Sequence, residues 1–139
     1  MSKKVFGLSV RAVVTDERGR CLLLRRSPAN KGLVGKWEWP GGKTDPGEDF
    51  ATALHRELAE ETGLAVEITG FAGATSFDMP KIHVVLLCME AVATGGSLTL
   101  STEHDAAEWV PVSELSRWDL TDHVRAFMID YSERKARSG

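Results

Sequence analysis

Residues 42–64, GKTDPGEDFATALHRELAEETGL, constrain this chain more than any other stretch. They read as one helix entered through a turn and closed by a glycine. Asp45 suits the N-cap, Pro46 the first helical position and Glu48 the third, as in a capping box. Glu48 and Asp49 also fall at the positive end of the helix dipole. Gly63 supplies a left-handed stop. The expected helix has about seventeen residues, roughly 25 Å at 1.5 Å per residue.

At about 100° per residue, Phe50, Ala51, Leu54 and Leu58 form an apolar arc. Glu57 and Glu61 fall beside this arc, and Glu60 flanks them. A surface helix normally keeps its charges opposite the apolar stripe. Glu57 and Glu61 form a like-charge i, i+4 pair, which is unfavourable in water and worse when desolvated. A solvated acidic end, with Arg56 supporting Glu60, is one solution. A bound divalent cation is the other, and it would set the chemistry. Mg²⁺ takes oxygen ligands. Carboxylates at i, i+3 and i+4 share one helical face, so Glu57, Glu60 and Glu61 can hold such an ion.

Gly42, Glu48, Arg56, Glu57, Leu58, Glu60, Glu61, Gly63 and Leu64 occupy a fixed pattern. It runs Gly, five residues, Glu, seven residues, Arg-Glu-aliphatic-any-Glu-Glu-any-Gly-aliphatic. The stretch resembles the Nudix box, and the resemblance extends through most of the chain. It implies an α/β (α+β) fold, the Nudix-type α/β/α sandwich with a mixed β-sheet between helices. It implies Mg²⁺ (or Mn²⁺) as cofactor and adds the backbone carbonyl of Gly41 to Glu57, Glu60 and Glu61 as a ligand. Glu57 is the first choice for general base. Glu103, on the loop before Trp109, is the alternative base or an extra metal ligand; its other reading is a solvated loop charge. His104 reads as a loop histidine. In similar proteins the Arg56–Glu48 pair orients the catalytic carboxylate.

Substrate contacts are read from the same likeness. Lys43 follows the double glycine and could touch phosphate. Arg25 and Arg26 end LLLRRS, where similar proteins place a phosphate-contacting arginine. Alternation puts the two on opposite faces, and Arg25 is favoured. KWEWPGGK resembles the MutT-like segment. Trp37 and Trp39 alternate onto one face, to stack a base or to pack the core. Phe77, with Asp78 and Met79, precedes Pro80 at a possible pocket rim. In LTDHVRAF, Asp122 stands where MutT-like enzymes present Asn or Asp to the base. The competing reading is that Thr121 or Asp122 caps the last helix.

The leading expectation is a MutT-like pyrophosphohydrolase that cleaves a nucleoside triphosphate to monophosphate and pyrophosphate. Pro80, some fifteen residues beyond the box, favours an ADP-ribose or nucleotide-sugar pyrophosphatase as the alternative. A catalytically idle nucleotide sensor is a third class, disfavoured because all box carboxylates are present. At 139 residues, 42% hydrophobic and net charge −3, the chain is expected to form one domain over 1–139 without disulfide staples. That charge argues against a stable nucleic-acid partner, and a monomer or homodimer is expected. Cys21 and Cys88 sit in apolar runs as reduced thiols, consistent with the cytoplasm. Arg11 interrupts the apolar part of MSKKVFGLSVRAVV, which argues against a signal peptide. The run 82–89 is too short to span a bilayer.

Strands are expected over residues 5–15 and 21–25 around a turn at 16–19. A loop over 27–36 and a short extended segment at 37–40 follow. A strand bent at Gly70 and Gly73 covers 65–77, and another covers 81–93. Residues 94–97 read as a hairpin turn. Residues 107–110 form a short strand, Ser113 caps a helical turn, and 121–134 form a helix. The polar tail 133–139 is expected to fray.

Overall fold

The computed structural model describes residues 4–138. Seven strands are β1 Val5–Thr15, β2 Arg20–Arg26, β3 Trp37–Glu38, β4 Gly41–Lys43, β5 Leu64–Asp78, β6 Ile82–Gly96 and β7 His104–Pro111. The helices are α1 Phe50–Thr62, a 3-10 turn Val112–Arg117 and α2 Arg125–Ser138. The sheet runs β3-β2-β1-β6-β5, with β4 also on β1 and β7 also on β2. β1 and β6 are parallel, whereas β5 and β6 are antiparallel, so the sheet is mixed.

Period-two alternation splits the apolar residues into two layers. Val10, Ala12, Val14, Leu22 and Leu24 pack on Ala53, Leu54 and Leu58 of α1. Val13, Cys21, Leu23 and Cys88 pack on Leu115, Leu120, Met128 and Tyr131. Helices therefore cover both faces, the α/β/α arrangement that the sequence implies. Cys21 and Cys88 are free and buried.

The position of the double glycine follows from how β1 and β2 part. Asp16 Oδ1 accepts the N–H groups of Arg18 and Arg20 and closes the turn. The two strands register at Thr15 and Cys21, and β4 then takes the edge of β1 at Ser9, Val10 and Arg11. This lays Gly41 and Gly42 in the sheet beside α1. β5 carries register shifts where Gly70 and Gly73 fall, which bend it as expected.

Four local expectations are corrected. α1 starts at Phe50, with Asp49 as N-cap accepting the Thr52 N–H at 2.8 Å. Gly47, at φ 83°, breaks the helical path. Asp45 instead forms a separate turn, donating its N–H to Glu48 Oε1 at 2.9 Å. Residues 94–97 are no hairpin, because β6 continues until Gly95 pairs with Ala65 and Gly96 with Leu64. The chain then crosses the end of α1, with Thr99 N–H on Thr62 O and Ser101 N–H on Glu61 O. That crossing delivers β7 to β2. Ser113 does not cap the 3-10 turn, whose N-cap is Pro111. α2 begins at Arg125 and continues through the segment expected to fray. Arg134 donates to Ala72 O and Lys135 lies 2.8 Å from Glu90, which ties that segment down. Residues 1–3 and 139, which belong to the leader and tail readings, lie outside the described residues. No described helix is long and apolar enough to cross a membrane.

Leu58 is fully buried between α1 and the sheet. Leu58→Ala is expected to lower the unfolding free energy by about 2–5 kcal/mol. Urea denaturation measures it; a loss below about 1 kcal/mol would contradict this packing.

Candidate active site

Arg56 organises the acidic end of α1. Its Nε lies 2.8 Å from Glu48 Oε2 and its Nη2 lies 2.9 Å from Glu48 Oε1, a bidentate pair. Nη2 also donates to Lys43 O at 3.1 Å. Nη1 reaches Glu57 Oε1 at 3.1 Å and Glu60 Oε2 at 3.3 Å. The Arg56 fork and the Asp45 N–H hold the Glu48 carboxyl down at about 2. The same acceptors raise Arg56 further.

The double glycine is the floor of this cluster. Gly41 N–H donates to Glu61 Oε1 at 2.7 Å. A Cβ at Gly42 would stand 2.5 Å from Glu57 Oε2, so the glycine allows Glu57 to lie against the strand. Glu61 is only 5% exposed. Burial pushes its carboxyl up to about 7, against the pull of Arg11, the Gly41 N–H and His104. Glu57, half-buried, is also raised by burial, with Arg56 opposing and Glu60 and Glu103 adding. Glu60 is exposed.

Among the described residues, no three His, Cys, Asp or Glu side chains already stand together at metal-binding spacing. The ridge drawn from helical periodicity is therefore not gathered into one cage. Arg56 lies between Glu57 and Glu60, and Glu61 is turned onto Gly41. The donor set still suits a hard divalent cation, since every candidate ligand is oxygen. Burial and neighbouring carboxylates also raise Glu57, as expected of a site short of positive charge.

Sequence reasoning missed a second buried group. Glu38 is 4% exposed and pairs with Leu24, on the α1 side of the sheet. Arg26 Nη1 lies 3.3 Å from both of its oxygens, and Arg11 Nη1 lies 3.7 Å from Oε2. His104 Nε2 lies 2.9 Å from the same Oε2. Burial alone would raise Glu38, but Arg11, His104 and Arg26 together bring it down to about 2. His104 is no loop histidine: it opens β7 and is 4% exposed. Alternation offered a signal for Glu38, because it separates two tryptophans that face the other layer. Nothing local pointed to His104.

A cavity of about 720 Å³ opens against the double-glycine strand, which lines it at Gly42 and Lys43; none of its lining residues belongs to α1. Leu8, Val84 and Leu86 give it an apolar wall, and Arg26, Lys31 and Lys43 a basic one. Phe77 lines it and stacks on His123, with ring centroids 4.7 Å apart and planes 8° from parallel. Lys43 and Phe77 thus stand where a substrate could reach them; Arg25, Trp37 and Asp122 do not line this wall. The expected orientation of the two arginines is reversed. Arg25 points to Asp105 at 2.8 Å and lies over Trp37, while Arg26 faces the cavity. A register shift between Arg25 and Arg26 accompanies this. Trp37 packs edge-on against Trp118 at 4.8 Å. Trp39 is buried against Phe127 and Tyr131. Asp122 lies 3.8 Å from Lys36 Nζ, and its neighbours Thr121 and His123 line the cavity. Among the described residues, neither Thr121 nor Asp122 makes a side-chain capping bond to α2.

Comparison with known proteins agrees with this geometry. The NUDIX domain model matches residues 5–131. A MutT-like protein of Streptomyces ambofaciens is 33% identical over 115 residues, covering 83% of this chain and 70% of the relative. A Mycobacterium tuberculosis protein provisionally named 8-oxo-dGTP diphosphatase 2 is 33% identical over 113 residues, 81% of this chain and 80% of its own length. The crystal structure of a MutT protein from Methanosarcina mazei Go1 superposes with a TM-score of 0.86 at 29% identity, covering 97% of this chain and 99% of that one. The chain therefore belongs to the Nudix family, as a MutT-like hydrolase acting on pyrophosphate bonds of nucleotide substrates.

Glu61 has a stability consequence. Folding raises its carboxyl from 4.5 to about 7, so the folded state keeps a proton that the unfolded chain has released. The stability this contributes is complete below about 4.5 and is lost as pH rises toward about 7. The metal-free protein should lose up to about 1.4 kcal/mol per pH unit across that window. Glu61→Gln should flatten the slope in urea denaturation with EDTA present. Parallel pH profiles for parent and variant would contradict the reading.

Proposed function

We propose that this chain hydrolyses (deoxy)nucleoside triphosphates to monophosphate and pyrophosphate, using Mg²⁺ or Mn²⁺. The observation that carries this is a cavity with apolar and basic lining that meets the box at Gly42, the glycine against which Glu57 lies, and at Lys43. The apolar wall suits a base, and Arg26, Lys31 and Lys43 suit a phosphate chain. The names of two relatives support it: the 8-oxo-dGTP diphosphatase above and the nucleoside triphosphatase NudI of Salmonella, 28% identical over 117 residues.

The Gly41 carbonyl and Glu57, Glu60, Glu61 and Glu103 would hold the cation. When bound, it supplies charge to the phosphate oxygens and makes a water more acidic. Glu57 is the proposed base, its carboxylate taking the proton of the attacking water. Glu103 is the alternative base. Arg56 fixes one oxygen of Glu57 and leaves the other free, and Glu48 fixes Arg56. Lys43 and Arg26 meet the phosphates, and Phe77 contacts the base. Water attacks a phosphorus of the anhydride chain and a bridging P–O bond breaks, which gives monophosphate and pyrophosphate. A single domain, a monomeric or homodimeric state, the cytoplasm and the absence of a stable nucleic-acid partner complete the proposal. Pro80, between β5 and β6, keeps an ADP-ribose or nucleotide-sugar substrate as the second reading. An ADP-ribose pyrophosphatase from Streptococcus suis shares the fold, with a TM-score of 0.69 at 20% identity.

A nucleotide panel with Mg²⁺, followed by pyrophosphate release, tests the substrate. Triphosphates should be preferred over ADP-ribose, and EDTA should stop turnover. Glu57→Gln should reduce kcat by about 100-fold or more with an unchanged melting temperature. Retained activity in that variant would defeat the base assignment, and faster ADP-ribose cleavage would favour the second reading.

A further inference from the structure

The His104 ring lies between Glu38 and Glu61, two buried carboxylates that Arg11 also faces. Its backbone is fixed first: His104 N–H reaches Ser101 O, and Ser101 N–H reaches Glu61 O at the end of α1. Pairing with Arg26 then sets the start of β7 against β2. The ring is left between two buried carboxylates. Nε2 lies 2.9 Å from Glu38 Oε2, and Nδ1 faces Glu61 Oε2 at 3.7 Å. Nδ1 is buried and has no hydrogen-bond partner at bonding distance. Glu61 Oε1 is held from the other side by Gly41 N–H. Glu38, with Arg11 and Arg26, lines the cavity.

We propose that His104 is a positioning residue that ties the Glu61 carboxylate to Glu38 in the cavity wall. The inference rests on the proposed metal role of Glu61. A ligating carboxylate needs an outer partner to set its orientation, and such partners commonly affect metal affinity 10–100-fold. Gly41 fixes one oxygen of Glu61, and the ring faces the other at 3.7 Å. Glu38 restrains the ring in turn, and Arg11 and Arg26 hold Glu38. Ordering of the cavity wall and of the metal ligand thereby share one side chain. A buried strut would matter for stability alone, whereas a positioning residue must also change metal affinity.

Mn²⁺ binding without nucleotide, followed by calorimetry, separates the two. His104→Gln retains an amide near the Nε2 position and lacks a group facing Glu61. It should weaken Mn²⁺ binding about tenfold or more and lower kcat more than it raises the nucleotide KM. Glu38→Gln should weaken Mn²⁺ binding in the same direction. The double variant should be no worse than the worse single one, because both act through one link. Folded variants that bind Mn²⁺ within about twofold of the parent, or effects that multiply in the double variant, would overturn the proposal. If near-UV circular dichroism shows His104→Gln unfolded, Glu38→Gln decides alone: an unchanged Mn²⁺ affinity would overturn it. A parent that binds Mn²⁺ beside such variants removes only the role of His104. A parent that binds none removes the metal reading of α1 as well.

Discussion

The guanidinium of Arg56 is shared among Glu48, Glu57 and Glu60, and the shape of the site follows from that sharing. Two of its N–H groups grip Glu48, which also accepts the Asp45 N–H. The turn before α1 is thereby locked to the middle of the same helix. A third contact, to Lys43 O, fixes the strand that carries the glycines. What remains of the fork holds a single oxygen of Glu57. A lysine could neutralise the same charge but could not present several directed donors in one plane.

Three glutamates on one helix then occupy three environments. Glu60 stands in solvent, Glu57 is half-buried and Glu61 is enclosed. Desolvation acts on the charged form, so it raises Glu57 and acts more strongly on Glu61. The gradient is a product of packing: Leu54 and Leu58 anchor α1 to the sheet, and the rotation this imposes turns residue 61 inward. The missing side chain of Gly42 allows the strand to approach closely enough for Glu57 to rest on it. A charge that is expensive without a counterion is thus held where a counterion and a phosphate chain could meet.

Much of this was legible because it is local. The box spacing, the Gly63 stop at φ 71° and the bends at Gly70 and Gly73 all depend on residues close in sequence. The start of α1 was misplaced because Asp45 and Asp49 both have capping chemistry, and only the backbone path at Gly47 decides between them. The glycines at 95 and 96 looked like a turn because their partner strand, thirty residues earlier, was invisible locally. Alternation puts Arg25 and Arg26 on opposite faces, as observed, but it does not say which face meets the cavity, and that is the face of Arg26. Glu38, Arg11, Arg26 and His104 come from four strands, β3, β1, β2 and β7, and their meeting is decided by strand order alone.

The acidic end of α1 and the Gly41 carbonyl are proposed to receive a divalent cation together. The most direct measurement is anomalous diffraction from crystals grown with Mn²⁺ and a non-hydrolysable nucleotide. An anomalous peak is expected at coordination distance from Glu57 and Glu61, with Arg56 still gripping Glu48. Mn²⁺ bound to the nucleotide but away from α1, or no peak there at full nucleotide occupancy, would contradict it.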